Sequence, residues 1–243
     1  MSYPKIKITG DTSVAVVFGN VISEEINTKI RAFERVLDEA NIDGIYENVP
    51  TYCSVTVHYA PEKIRYGTLC EKLEEILAKP QTAENVKTTV MEIPVLYGGE
   101  HGPDLEYVAR HNGLTPDEVI DIHTGAEYLI YMLGFTPGFS YMGGMDERIA
   151  TPRLKTPRVV IPAGSVGIAG KQTGIYPIDS PGGWQLIGRT PVKLYDAHRE
   201  TPILTDAGLH VKFFAIDRKE YDRIAALETE NKYRCHTFVK EEL

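Results

Sequence analysis

The glycine and proline residues of this chain are unevenly spread. Of the 58 residues from Gly134 to Pro191, 18 are Gly or Pro, as many as in the other 185. Glycine admits positive φ and proline removes a ladder donor, so no long helix or unbroken long strand fits that stretch. Short apolar pieces stand between the breaks, at Val159–Ile161, Val166–Ala169, Gln185–Ile187 and Val192–Leu194, with His210–Ile216 beyond them. Short strands separated by frequent turns predict a closed or nearly closed β-barrel. Just upstream, Pro94–Gly99 precedes two short helices. Thr115-Pro116-Asp117-Glu118 opens the second of them with a reciprocal cap, and proline takes the first helical position. Glu127–Phe135 follows as a strand, and Asp217–Thr229 is helical in pattern.

The first third of the chain has a different periodicity. Val14, Val16 and Phe18 alternate as in a strand with one buried face. Ser23 can cap a helix whose stripe is Ile26, Ile30, Phe33, Leu37 and Ala40, with Gly44 ending it. Gly44–Val49 and Tyr52–Tyr59 read as strands around Pro50. Pro61 opens a helix with Tyr66, Cys70, Leu73 and Leu77 on one face, and Lys87–Ile93 is the returning strand. Strand, helix, strand, strand, helix, strand is the split βαβ or ferredoxin-like pattern. The chain therefore reads as α+β: a ferredoxin-like α/β sandwich over 1–84, then a β-barrel with a helical extension over 85–243. The boundary lies in Ala78–Val86, around Lys79-Pro80-Gln81.

Composition removes several classes of function. The 243 residues carry a formal charge of −8, and no run of Lys and Arg offers a phosphate-neutralising face, so no nucleic-acid partner is expected. Arg153, Lys155 and Arg158 come nearest, and Pro152 and Pro157 interrupt them; they read as a solvated loop. Cys53, Cys70 and Cys235 form neither a disulfide framework nor a zinc knuckle. No apolar run approaches the ~20 residues of a membrane helix, and Met1–Lys5 lacks an apolar signal core. The expectation is a protein of the reducing cytoplasm with no membrane association.

Two motifs resemble catalytic signatures and fail on spacing. Gly164–Gln172 has the glycines of a phosphate loop, but Ser165 stands where the first Gly is required and Gln172 where the magnesium-binding hydroxyl belongs. Gly138-Phe139-Ser140-Tyr141-Met142-Gly143 is one residue too long for a nucleophile elbow. The seven histidines form no HxxxH or HExxH, so no metal site is expected. His123, at a helix end, is either a core hydrogen-bonding histidine or a pocket residue. Asp179–Pro191 holds the single tryptophan, and the two glycines before Trp184 allow close backbone approach. Trp184, Gln185 and Arg189 could line a groove; equally, Trp184 could be core and Arg189 structurally paired.

Gly134–Gly144, Pro162–Gly170, Gln172–Pro177 and Ser180–Pro191, with Tyr97–Glu100 and Gly102–Leu105, resemble in order the motifs of the PxpB/KipI family, also called allophanate hydrolase subunit 1-like. The resemblance implies a ferredoxin-like domain followed by a cyclophilin-like β-barrel. It also implies a non-autonomous subunit that works with PxpC-like and PxpA-like subunits in ATP-dependent opening of 5-oxo-L-proline to L-glutamate. ATP and magnesium then act at the level of the complex, with no cofactor bound by this chain. Other members inhibit a sporulation histidine kinase, and related modules act as carboxyltransferase domains in urea carboxylase. Departures stand at His101, where members carry an aromatic, and at Lys171, where they carry Asn. On this resemblance the substrate-binding residues are Phe139, Tyr141, Gln172, Tyr176, Trp184, Gln185 and Arg189. The aromatics would form an apolar wall, the two glutamines would recognise an amide, Arg189 would grip a carboxylate, and Lys171 would be an accessory anion contact.

Overall fold

A computed structural model describes residues 3–79 and 88–240, in two compact units, Met1–Val86 and Lys87–Leu243. The boundary expected at 84/85 lies outside the described residues.

In the first unit, strands β1 (Lys5–Gly10), β2 (Ser13–Val17), β3 (Ile45–Pro50) and β4 (Ser54–Tyr59) form an antiparallel sheet in the order β1-β2-β4-β3. Helix α1 (Glu24–Ala40) starts where the Ser23 hydroxyl accepts the Ile26 N–H, at 3.2 Å. It buries Ile26, Ile30, Phe33 and Leu37, while Ala40 is exposed. Asn41, at φ 41°, ends it, because its amide tolerates the left-handed conformation; Gly44 serves the turn into β3 instead. Helix α2 (Tyr66–Ala78) begins five residues after Pro61 and buries Leu69, Leu73 and Ile76. The ferredoxin-like pattern expects its fourth strand at Lys87–Ile93. Residues from Thr89 onward instead enter the sheet of the second unit, and β1 fills the fourth position. It is an edge strand with exposed side chains over its last four residues, so it lacks the apolar alternation that marks β2.

The second unit is a nearly closed sheet. It comprises β5 (Thr89–Tyr97), β6 (Glu127–Leu133), β7 (Ser140–Gly143), β9 (Ser165–Ala169), β10 (Gln172–Ile175), β12 (Gln185–Arg189), β13 (His210–Ala215) and β14 (Thr237–Val239). Strands β8 (Arg158–Ile161) and β11 (Ser180–Gly182) pair separately. The sheet order is β10-β9-β12-β5-β13-β6-β7, with β14 also on β5, and the end strands β10 and β7 come alongside each other. This is the barrel that the turn density predicts. Val192–Leu194 is not a strand, although Leu194 is buried. Helices α3 (Leu105–Asn112) and α4 (Pro116–Gly125) pack beside it, and the expected reciprocal cap is present: Thr115 Oγ1 accepts from Glu118 N, and Glu118 accepts from Thr115 N. Helix α5 (Arg218–Thr229) leads into β14, so the segment after Ile216 adds a strand to the barrel sheet. Among the described residues no helix is long and apolar enough to cross a membrane.

Candidate functional site

The glycine-rich turns open a cleft of about 350 Å³ on the barrel, lined by Phe135, Phe139, Tyr141, Tyr176 and Trp184 with Arg153, Pro157, Pro181, Gly182 and Gly183. Its floor is an aromatic cluster. Phe139 meets the rings of Tyr141, Tyr176 and Trp184 edge to face at centroid distances of 5.2, 5.7 and 5.7 Å, and Tyr176 meets Trp184 at 6.0 Å. Such pairs fix ring orientation beyond what burial alone supplies. Glycines make the room. A Cβ on Gly174 would lie 3.1 Å from Trp184 Cζ3, one on Gly167 would lie 3.2 Å from Trp184 Cβ, and one on Gly182 would strike the Tyr176 hydroxyl. Burial pushes the Tyr176 phenol up to about 12, so at neutral pH it stays protonated.

The segment from Trp184 into β12 is held by two charged side chains. Arg158 donates through Nη1 to the Trp184 carbonyl at 3.0 Å and through Nη2 to both oxygens of Asp104 at 2.8 Å. Asp104 also accepts the Leu186 N–H at 2.6 Å. Charged hydrogen bonds of this kind are strong and orienting. Beneath β9 and β10 lies a second network. His123 is fully buried; its Nδ1 is 2.7 Å from the Tyr97 hydroxyl and its Nε2 is 2.8 Å from Thr173 Oγ1. Thr173 spends its hydroxyl proton on the Gly167 carbonyl at 3.2 Å, so it must accept from His123 Nε2–H, and Nδ1 accepts from Tyr97. Burial pulls the imidazole down to about 3 and keeps it neutral. His123 is therefore a core histidine, set behind the strands that back the cleft.

Four of the seven side chains expected at the site, Phe139, Tyr141, Tyr176 and Trp184, line the cleft, and three do not. Gln185, one residue on from Trp184, points the other way and donates to the Pro152 carbonyl at 2.8 Å. Arg189 donates to the Ala163 carbonyl at 2.8 Å, and its charge acts on Glu100 and His101. Gln172 begins β10 outside the lining. Lys171 sits at the tip of the β9–β10 hairpin, paired with Glu147 at 2.6 Å. Gly170 there has φ 60°, as a tight two-residue hairpin turn requires, and a strand follows rather than the helix of a phosphate loop. His101 stacks on Tyr221 at 4.8 Å, filling an aromatic's place with another flat ring. Ser140 is buried against Thr205 at 2.9 Å and is not an exposed nucleophile.

Two cleft residues escape the sequence reading. Arg153 is not simply part of a solvated loop: its guanidinium lies 6.0 Å from the Trp184 ring centre, a cation–π arrangement, and the next residue is pinned by Leu154 N–H to the Gly183 carbonyl at 2.7 Å. The flanking prolines were the available signal, since they keep the segment out of a ladder and leave it to lie across its neighbours. Phe135, expected to end a strand, instead stands in the following turn with 63% of its surface exposed.

The carboxyltransferase domain family, subdomain C and D, matches residues 4–205. The B subunit of 5-oxoprolinase from Bacillus subtilis is 47% identical over 227 residues, covering 89% of this chain and 95% of that protein. The corresponding B subunit from Escherichia coli O157:H7 is 39% identical over 215 residues, covering 88% and 96%. The crystal structure of TTHA0988 is similar with a TM-score of 0.76 at 38% identity, over 84% of this chain and 40% of the other. A nearly closed barrel, the ordered glycine-rich motifs that shape its aromatic cleft, and these similarities place the chain in the PxpB branch of the carboxyltransferase subdomain C and D family.

Proposed function

We propose that this chain is the B-type subunit of an ATP-dependent 5-oxoprolinase and contributes the aromatic cleft to a substrate pocket that C-type and A-type subunits complete. The observation that carries the reading is the pairing of four buried or half-buried aromatic rings with one exposed guanidinium, Arg153, in a 350 Å³ cleft. 5-Oxoproline is a small ring with an apolar edge, an amide and a carboxylate. The rings of Phe139, Tyr141 and Trp184 suit the apolar edge, the Tyr176 phenol can donate to a carbonyl, and Arg153 suits the carboxylate. Arg153 takes the role that the sequence alone gave to Arg189. The ferredoxin-like and cyclophilin-like descriptions of the two units belong to the same reading.

ATP is a co-substrate that activates the lactam carbonyl toward water. Among the described residues, the glycine-rich Gly164–Lys171 segment does not fit a nucleotide-binding loop: it is a strand and a hairpin turn, and Lys171 is paired with Glu147. The phosphoryl-transfer step is therefore assigned to the partner subunits. This chain binds and orients the lactam and excludes water from its apolar edge. The test is reconstitution of the chain with its C-type and A-type partners, with ATP-dependent glutamate release measured as each is omitted. Release only from the complete set supports the reading; turnover by this chain alone, or assembly only with a histidine kinase, contradicts it.

A further inference from the structure

Two hydrogen-bond donors of the cleft have no acceptor among the described residues. Tyr176 is 2% exposed, with its N–H donating to the Ser165 carbonyl at 2.9 Å and its carbonyl accepting the Gly164 N–H at 2.7 Å. Its ring meets those of Phe139 and Trp184 edge to face, and its hydroxyl lies against Gly182, a lining residue where a Cβ would collide with it. A buried phenol normally finds a partner for its O–H. The Trp184 backbone N–H donates to this phenol oxygen, but nothing among the described residues accepts its proton. Arg153 is the second donor: beyond its place over Trp184 it makes no hydrogen bond and no ion pair among the described residues. The guanidinium and the phenol ring each lie 6.0 Å from the centre of the indole.

The charges around the phenol favour an anionic acceptor. Burial raises its pKa, while Arg153, the Trp184 N–H and Arg158 act the other way, each favouring negative charge at the phenol oxygen. Arg158 is neutralised by Asp104, and Arg153 is left as the unpaired cation. No Asp or Glu lines the cleft; the rest of its wall is aromatic rings, proline and glycine. Nothing there repels a carboxylate or competes for it. Two held donors beside one indole therefore suit an acceptor with full charge, because a bond donated to an ionised oxygen is roughly twice as strong as one to a neutral carbonyl.

We infer that the Tyr176 hydroxyl and the Arg153 guanidinium grip one ligand carboxylate between them, so that Tyr176 is a specificity-determining residue and the cleft selects lactams that carry a carboxylate. The inference rests on the proposed function for the identity of the lactam, and it gives the phenol the carboxylate in preference to the ring carbonyl. It is tested by titrating the full chain with 5-oxo-L-proline and with 2-pyrrolidinone, the same lactam without the carboxylate. Binding is read from the emission of Trp184, the single tryptophan and a lining residue. Tyr176→Phe is expected to weaken 5-oxo-L-proline at least tenfold and to leave 2-pyrrolidinone within twofold of its parent value. Arg153→Ala, at an exposed side chain that folding does not need, is expected to show the same selectivity. Arg189→Ala, a cation outside the lining, is expected to change neither. Equal weakening of both lactams by Tyr176→Phe overturns the inference, since the hydroxyl then serves a group they share. So does 5-oxo-L-proline binding within twofold of the parent, or a parent chain that binds it no more tightly than 2-pyrrolidinone. Tyr176-dependent binding of 5-oxo-L-proline by a chain whose complete complex releases no glutamate contradicts the proposed function and leaves the carboxylate grip standing.

Discussion

Asp104 and Arg158 meet through two hydrogen bonds of 2.8 Å, one to each carboxylate oxygen, from elements 54 residues apart. The pair is largely buried, with 14% of the Asp104 and 28% of the Arg158 side chain exposed, and both residues also bond the backbone of Trp184–Leu186. The clamp thus ties the start of β12 to the start of α3 and to β8. Asp104→Ala strips a partly buried guanidinium of its partner and frees the Leu186 N–H. Loss of about 2–3 kcal/mol is expected in urea unfolding, the scale of a charged hydrogen bond with a buried partner left behind. Arg153→Ala, which removes an exposed side chain, should cost under about 0.5 kcal/mol.

The His123 network makes stability depend on pH with a definite sign. The folded imidazole titrates near 3, and an unfolded one near 6.5. The depressed folded value means that the unfolded chain binds the extra proton below about 6.5, so stability falls as pH falls from 6.5 toward 3. At pH 5 the penalty from this group is about 2 kcal/mol, from 1.36 kcal/mol per pH unit. The difference between the parent chain and His123→Gln, followed by denaturation from pH 7.5 to 5, should shrink by about that amount.

Gly174 and Gly67 provide a paired test of cleft geometry. An added Cβ on Gly174 would press on Trp184 Cζ3 at 3.1 Å and Cη2 at 3.3 Å, whereas one on Gly67 meets nothing within 4 Å. Gly174→Ala should lose about 1–2 kcal/mol by overpacking and shift the emission of Trp184, the single tryptophan. Gly67→Ala in α2 should leave emission unchanged and gain about 0.5 kcal/mol.

What the sequence reveals and what it hides follow a physical division. Features set by local spacing are legible: the Ser23 cap and the Thr115–Glu118 reciprocal cap form as the sequence predicts, and the strand read from Val14, Val16 and Phe18 is β2, with Ala15 buried as well and Phe18 buried just past its end. The turn density of Gly134–Pro191 reads correctly as a barrel, and Phe139, Tyr141, Tyr176 and Trp184 converge in its cleft. Features set by long-range register are not legible. Trp184 stands just before β12 and Gln185 begins it, and nothing local says which of their side chains meets the opening, so Gln185 and Arg189 read as lining residues. Arg153 reads as solvated because nothing local shows that Leu154 bonds Gly183 and carries it over the indole. Edge strand β1 is hidden for a similar reason: its pairing with β2 is backbone hydrogen bonding with little apolar pattern.

The proposed function has the aromatic cleft, with Arg153 as its cation, hold the carboxylated lactam inside a multi-subunit enzyme. Its most direct test is the steady-state kinetics of the reconstituted complex on 5-oxo-L-proline with Arg153→Ala and Arg189→Ala compared side by side. Loss of a charged hydrogen bond of about 1.5–3 kcal/mol should lower kcat/KM roughly 10- to 150-fold for Arg153→Ala and leave Arg189→Ala within about twofold. Arg153→Ala within twofold of the parent, or a large loss confined to Arg189→Ala, would contradict the account.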